Sequence, residues 1–337
     1  MLYSVARKAL FCLDAEHAHE LTIATFKNFP KLSTLAFAGH FDTAPFQRLG
    51  LTFPNRVGLA AGLDKNGECI DAWARLGFGF IEVGTVTPRP QPGNPKPRMF
   101  RLPQQQAIIN RLGFNNKGVD YLLARVRDSD YRGVLGINIG KNFDTPIERA
   151  ADDYLTGLRK VHAAASYITV NISSPNTRNL RDLQDEERLN DLLRALRDER
   201  ERLAQAQGQR KPLLVKIAPD VSQTQIEHIA SAAREFGIDG LIATNTTITR
   251  PGLEGEKLAK EQGGLSGAPL RDLANATLRS LRAAVGPEFT LVGVGGILSA
   301  QDARDKRHAG ADLVQVYTGF IYQGPGLIGD CARALAA

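Results

Sequence analysis

The residues of this chain best equipped for chemistry stand where short apolar runs stop. Asparagine does so repeatedly, at Asn66, Asn138, Asn171 and Asn245, with Asn176 close behind Asn171. A side-chain amide offers a donor and an acceptor without charge, which suits a planar amide- or imide-like ligand better than a sugar phosphate alone. Lys216 lies inside Leu213-Leu214-Val215-Lys216-Ile217, a run that is otherwise wholly apolar. A buried ammonium costs on the order of several kcal/mol, or loses its proton, unless an anion meets it. Lys216 is therefore either a lysine whose stem reaches solvent or a cation held against a delocalised anion. Lys65, in a glycine-flanked loop, reads by itself as solvated. Gly293-Val294-Gly295-Gly296 and Tyr317-Thr318-Gly319 offer backbone N–H groups to an anion, or serve as tight turns. Ser174, before Pro175, is by default a turn residue. Its surroundings lack the Gly-x-Ser-x-Gly elbow of a serine hydrolase.

The elements that must position these residues alternate along the chain. Apolar runs cover 57–62, 80–86, 134–139, 167–172, 213–217, 240–243, 291–294 and 313–317. Helical patterns such as 70–76, 119–126, 150–162, 189–203, 225–236, 270–285 and 300–309 separate them. Eight strands apolar on both faces, alternating with helices, predict an α/β fold, a parallel (β/α)8 barrel. An open doubly wound sheet would put its glycine-rich turn after the first strand, with an acidic residue about 20 positions on. Here the glycines cluster late, after strands seven and eight, where barrels of this type hold phosphate.

The N-terminal segment differs. Leu2, Val5, Ala6, Ala9, Leu10 and Leu13 form a helical stripe with Arg7 and Lys8 off it, and Ala18, Leu21, Thr22, Thr25, Phe26 and Phe29 form a second that Pro30 ends. This predicts an amphipathic hairpin over 1–40, ahead of a barrel over 41–337. Both stripes could pack on the barrel or lie on a membrane surface. Charged residues interrupt every stretch long enough to span a bilayer, and a signal-peptide core is missing before Ala36-Phe37-Ala38. Three separated cysteines exclude a disulfide scaffold and a cysteine-based zinc site, and the chain reads as intracellular. A net charge of +6, from 42 Lys+Arg against 36 Asp+Glu, permits anionic ligands or lipid without demanding nucleic acid.

The motifs together carry a family resemblance. Ala61-Gly62-Leu63-Asp64-Lys65-Asn66-Gly67, Gly84-Thr85-Val86-Thr87-Pro88, Pro90-Gln91-Pro92-Gly93-Asn94, Asn110-Arg111-Leu112-Gly113-Phe114-Asn115-Asn116, Asn171-Ile172-Ser173-Ser174-Pro175-Asn176-Thr177, Gly263-Gly264-Leu265-Ser266-Gly267 and Gly295-Gly296-Ile297 closely resemble dihydroorotate dehydrogenases. The resemblance runs through nearly the whole chain. It is to the class 2, quinone-dependent bacterial type, which carries an N-terminal helical hairpin and a serine base where class 1 has cysteine. Gln104-Gln105-Gln106-Ala107 departs from the acid-then-glycine pattern expected before Ile-Asn-Arg, upstream of the matching Asn110.

The resemblance implies oxidation of (S)-dihydroorotate to orotate in de novo pyrimidine (UMP) synthesis, with FMN as cofactor, no metal, and a membrane quinone as acceptor. FMN is expected on Ala61, Gly62, Leu63, Asp64, Lys65, Thr85, Asn138, Asn171, Lys216, Thr244, Gly267, Gly296, Tyr317 and Thr318. Dihydroorotate is expected against Lys65, Asn110, Arg111, Leu112, Gly113, Phe114, Asn171, Asn176, Asn245 and Thr246, with Ser174 taking the C5 proton. His19, Arg101 and Tyr317 are expected near the quinone path. The resemblance further implies peripheral attachment to the cytoplasmic face of the inner membrane. There Arg7, Lys8, Lys27 and Lys31 would favour anionic lipid, and electron transfer would need no protein partner.

Overall fold

In the computed structural model, which describes residues 2–37 and 43–336, eight parallel strands close into a barrel. They are β1 (Val57–Leu59), β2 (Phe80–Val86), β3 (Val134–Ile139), β4 (Tyr167–Asn171), β5 (Leu213–Ile217), β6 (Gly240–Ala243), β7 (Thr290–Val294) and β8 (Leu313–Val316). Each pairs with the next in sequence, and β8 closes on β1 with Val316 opposite Leu59. Every strand residue is buried, because side chains alternate between the barrel interior and the surrounding helices. The expected strands 80–86, 134–139, 213–217 and 240–243 coincide with the observed ones. The expected first run overshoots: β1 stops at Leu59, and Ala60 to Gly62 turn inward over the barrel, the Gly62 N–H donating to Gly84 O at 2.6 Å.

Two elements carry no amphipathic signal of their own. A hairpin of Phe46–Arg48 and Leu51–Phe53 plugs the N-terminal end of the barrel, where Phe53 meets Phe80 at 5.3 Å between ring centroids. Over the opposite end lies a three-stranded antiparallel sheet, Met99–Leu102, Ala107–Asn110 and Gly264–Gly267. It joins the segment after β2 to the segment after β6 and roofs the C-terminal mouth. The glutamine-rich departure from the family pattern falls in the turn between its first two strands, where Gln105 Nε2 donates to Glu256 Oε1.

The N-terminal segment forms α1 (Leu2–Phe11), α2 (Ala15–Asn28) and α3 (Pro30–Thr34). Asp14 caps α2 by accepting the N–H groups of Glu16 and His17. Pro30 ends α2 as expected and also opens α3, where its missing N–H costs nothing. The expected boundary at residue 40 lies outside the described residues. The expected basic flank needs correction. Arg7 turns inward, its guanidinium donating to Tyr322 O, and Lys27 is paired with Glu68 at 2.9 Å; Lys8 and Lys31 remain exposed. The α1 stripe also divides. Ala6, Ala9 and Leu10 line a cavity, whereas Leu2 and Val5 are 59% and 65% exposed. Tyr3, Arg7 and Phe11, spaced four apart, dock the helix on the segment Phe320–Tyr322.

Candidate active site

The C-terminal ends of the strands and the roofing sheet enclose a cavity that collects residues distant in sequence. Its wall includes Ala61, Gly62, Lys65, Thr85, Asn110, Leu112, Gly113, Phe114, Asn171, Ser174, Asn176, Lys216, Thr244, Asn245, Thr246, Gly267, Gly296, Tyr317 and Thr318. Four of the expected contact residues stand behind this wall. Asn138 is fully buried and accepts from Thr85 Oγ1 at 2.6 Å, so it orients a wall residue. Asp64 accepts the N–H groups of Glu68 and Cys69 and of the Trp73 ring, which shapes the loop after β1. Leu63 faces the hairpin, and the Arg111 side chain is drawn to Glu261 at 2.6 Å.

Beneath the floor runs a continuous hydrogen-bond chain. Glu82, buried in β2, accepts from Asn138 Nδ2 (2.8 Å), Tyr167 OH (2.9 Å) and Gln315 Nε2 (2.7 Å). From Asn138 the chain passes through Thr85 to Asn171, whose Nδ2 donates to Thr85 Oγ1 at 2.9 Å. Asn171 Oδ1 accepts from Ser173 Oγ, and Asn245 Nδ2 donates to Ser173 Oγ, both at 3.0 Å. The amide orientations are thus fixed before any ligand arrives. Sequence reasoning omitted Glu82, Gln315 and Ser173. An acid in an apolar strand is the same signal that singled out Lys216, and could have found Glu82.

Lys216 stands 5% exposed among these groups. Burial lowers its pKa, while the Glu82 charge opposes that shift. Such a cation suits an anionic or electron-rich ligand edge. At the other end of the cavity the backbone comes very close to itself. A Cβ on Gly319 would lie 1.8 Å from Ile297 O, and Gly296 holds a φ of +76° that favours glycine. Thr318 Oγ1 donates to Ser266 Oγ at 2.8 Å beside them.

On the roof side, Asn176 Nδ2 donates to Asn110 Oδ1 at 3.2 Å, and the Asn176 N–H donates to Ser174 Oγ at 3.2 Å. Ser174 is 5% exposed. Among the described residues no histidine or carboxylate is bonded to its hydroxyl. Lys65 closes this side, its pKa lowered to about 8 by burial and the nearby Arg98 charge, against the opposing Glu16 and Asp64.

A second cavity of about 540 Å³ lies between the hairpin and the barrel. Its lining is mostly apolar, from Ala6, Leu10, Phe11, Ala18, Ile23, Phe26, Phe37 and Phe320, with His19 and Arg101 among the polar exceptions. Burial, then the Lys65 charge, lowers the His19 pKa to about 3, so its imidazole is neutral at physiological pH. Arg101 Nη1 donates to Leu10 O at 3.1 Å. Met99, Ile108 and Tyr317 line both cavities, so one layer of side chains separates them. All three residues expected on the quinone path, His19, Arg101 and Tyr317, line this second cavity. Among the described residues no helix is long and apolar enough to cross a membrane, and no group of three or more His, Cys, Asp or Glu is arranged to hold a metal.

A parallel barrel whose polar cavity is collected at its C-terminal mouth, beside late glycines, is the architecture of a barrel enzyme. The family model for dihydroorotate dehydrogenase matches residues 45–337, and the chain belongs to that family. The chain is 58% identical over 334 residues to a relative from Aromatoleum aromaticum, covering 99% of this chain and 95% of the relative. It is 57% identical over 337 residues to one from an Azoarcus species, covering 100% and 99%. Both relatives are named dihydroorotate dehydrogenase (quinone). The solved dihydroorotate dehydrogenase of Eimeria tenella in complex with ferulenol superposes with a TM-score of 0.87 at 38% identity, covering 96% of this chain and 90% of that one. The expected fold, enzyme class and quinone-type function are borne out.

Proposed function

We propose that this chain oxidises (S)-dihydroorotate to orotate on FMN and passes the electrons to a membrane quinone, within pyrimidine (UMP) synthesis. The observation that carries the reading is the paired arrangement of cavities, one polar and one apolar, sharing the wall of Met99, Ile108 and Tyr317. A two-site electron transfer needs such a partition. When bound, FMN would supply a two-electron acceptor.

The chain's own residues do the rest. Lys65 meets the substrate carboxylate, and Asn110, Asn171, Asn176 and Asn245 satisfy the donor and acceptor edges of the cyclic imide. Ser174 Oγ takes the C5 proton. Among the described residues its one bond is accepted from the Asn176 N–H, so the hydroxyl proton passes on to water. Lys216 would hold the electron-rich edge of the flavin, and the glycine segments after β7 and β8 its phosphate; all of them line the polar cavity. The apolar cavity admits the quinone, with His19 and Arg101 as its polar partners.

The hairpin supports peripheral attachment to the cytoplasmic face of the inner membrane. Leu2, Val5, Leu21, Phe29, Leu32 and Leu35 are 45% to 72% exposed, an unusual concentration of large apolar groups. Exposed Lys8 and Lys31 would favour anionic lipid. The test is direct: purified protein should show a bound-flavin absorbance and reduce a quinone analogue in the presence of dihydroorotate. Colourless protein, or flavin that dihydroorotate fails to reduce, would overturn the reading.

A further inference from the structure

The helix that lines the apolar cavity is riveted to the substrate loops by one buried ion pair. Glu16, in the first turn of α2, is 5% exposed, and Arg98, just before the roofing sheet, is 7% exposed. Arg98 Nε lies 3.1 Å from both Glu16 oxygens, and Nη2 donates to Oε1 at 2.7 Å. The other arm of the guanidinium donates to Pro92 O and Asn94 O, each at 2.7 Å. A planar fork holding a carboxylate on one edge and two carbonyls on another fixes α2 and the 92–94 segment relative to each other.

Asn94 extends the connection. Its Nδ2 donates to Arg111 O at 2.8 Å and to Asn176 O at 3.1 Å, and its N–H donates to Leu112 O at 3.1 Å. Those carbonyls belong to the two segments that line the proposed substrate cavity. The next bond along, from the Asn176 N–H, ends on Ser174 Oγ. The fit is tight: a Cβ on Gly113 would lie 2.8 Å from the Asn94 side chain, and one on Gly93 would lie 2.9 Å from Arg98 Nη1.

Resting on the function proposed above, we propose that Glu16 and Arg98 are positioning residues for the dihydroorotate site, acting through Asn94 on Asn176 and Ser174. The docking of the membrane-side helix and the geometry of the substrate pocket are then set by the same contact. Electrostatics supports the same link. Lys65 and Glu16 line a common polar cavity of about 380 Å³, and Arg98 and Glu16 act on the Lys65 ammonium with opposite sign. Lys65 faces Asp64 and Glu68 on its own loop, Glu16, His19, Glu20 and Lys27 from α2, Arg98 from the 92–98 segment, and Lys117 beyond Asn115. With Glu16 neutralised, the uncompensated Arg98 would drive Lys65 to lose its proton at lower pH.

The experiment is calorimetric titration of orotate into the FMN-loaded full chain, for wild type, Glu16→Gln, Asn94→Ala and Glu20→Gln, between pH 7 and 9. Glu16→Gln and Asn94→Ala should each weaken orotate binding about tenfold at pH 7, and the double variant should be far from additive, as expected of residues in one chain. The pH above which affinity declines should fall by about one unit in Glu16→Gln and stay put in Asn94→Ala, which leaves the ion pair intact. Glu20→Gln removes an exposed partner of Lys96 but leaves Lys96 with Glu16 at 3.4 Å and the Glu16–Arg98 pair intact, and should match wild type. Orotate affinity within about twofold of wild type in folded Glu16→Gln, or in Asn94→Ala if Glu16→Gln does not fold, would overturn the proposal. Wild-type protein that binds no orotate would instead refute the function on which it rests.

Discussion

Lys65 should cost the fold what it contributes to binding. Its ammonium has a pKa lowered from 10.5 to about 8, first by burial and then by Arg98. At about 1.4 kcal/mol per pH unit between the two values, the charged lysine is destabilising by roughly 3 to 4 kcal/mol. Because the folded pKa of a cation is depressed, the folded state binds fewer protons than the unfolded between pH 8 and 10.5, and stability rises with pH through that window. The penalty is therefore complete below about pH 8 and gone above the unfolded value. Lys65→Met keeps the stem and removes the charge. At pH 7 it should melt higher than wild type by about 5 °C, given the unfolding entropy of a chain this long. At pH 9.5 the advantage should shrink to well under half, because the folded lysine is then already neutral and pH 9.5 lies only about one unit below the unfolded value. Orotate affinity should fall by about 10²-fold or more with the loss of the carboxylate's partner. Scanning calorimetry of the FMN-loaded proteins at the two pH values gives the first quantity, and orotate titration the second. A variant that melts at or below wild type at pH 7, or whose advantage is unchanged at pH 9.5, would refute this account of Lys65.

Other expectations follow from the same site. Ser174→Ala should slow anaerobic single-turnover flavin reduction by dihydroorotate by about 10²-fold or more, while Ser174→Cys retains more activity because a thiolate forms at lower pH. In wild type that step should accelerate from neutral to alkaline pH, as the hydroxyl proton is lost more readily; a flat profile would count against serine as base. Lys216→Ala should weaken FMN retention or lower the flavin potential, because a buried cation at the cavity floor would be gone, and an unchanged potential would sink that role. Leu32 and Leu35 are 72% and 69% exposed. Changing both to Ser should weaken binding to anionic vesicles by about 10²-fold or more, at about 1.5–3 kcal/mol per buried leucine, with flavin reduction by dihydroorotate unaffected. Equal loss of both would place these leucines in the fold rather than on the membrane.

Much of this molecule is legible in its sequence because a parallel barrel buries its strands on both faces. Continuous apolar runs are then nearly sufficient to mark strands, and four of the eight match the observed limits. Their polar ends had to be the cavity, since strand direction alone sends every such end to one mouth. The roofing sheet is different. Ala107–Asn110 pairs with Gly264–Gly267 across more than 150 residues, and neither segment is periodic or long enough to announce a strand.

The hairpin shows the boundary between the two kinds of information. Helical spacing put Leu2, Val5, Ala6, Ala9 and Leu10 on one face of α1, with the expected Leu13 beyond the helix end at Phe11, but the face that docks carries Tyr3, Arg7 and Phe11. Periodicity reports which residues share a face, and the partner surface decides which face is used. The site divides the same way. Residue type and strand position pointed to Lys216, Asn171 and Asn245 at the barrel mouth, and the family resemblance added Ser174, Lys65, Asn110 and Asn176; all of these line one cavity. Tertiary structure alone decided that Asn138 and Asp64 stand behind its wall, that Glu82 anchors its floor, and that Glu16 reaches Arg98. Those outcomes depend on side-chain directions and long-range contacts, which are fixed when the barrel closes and the helices settle on it.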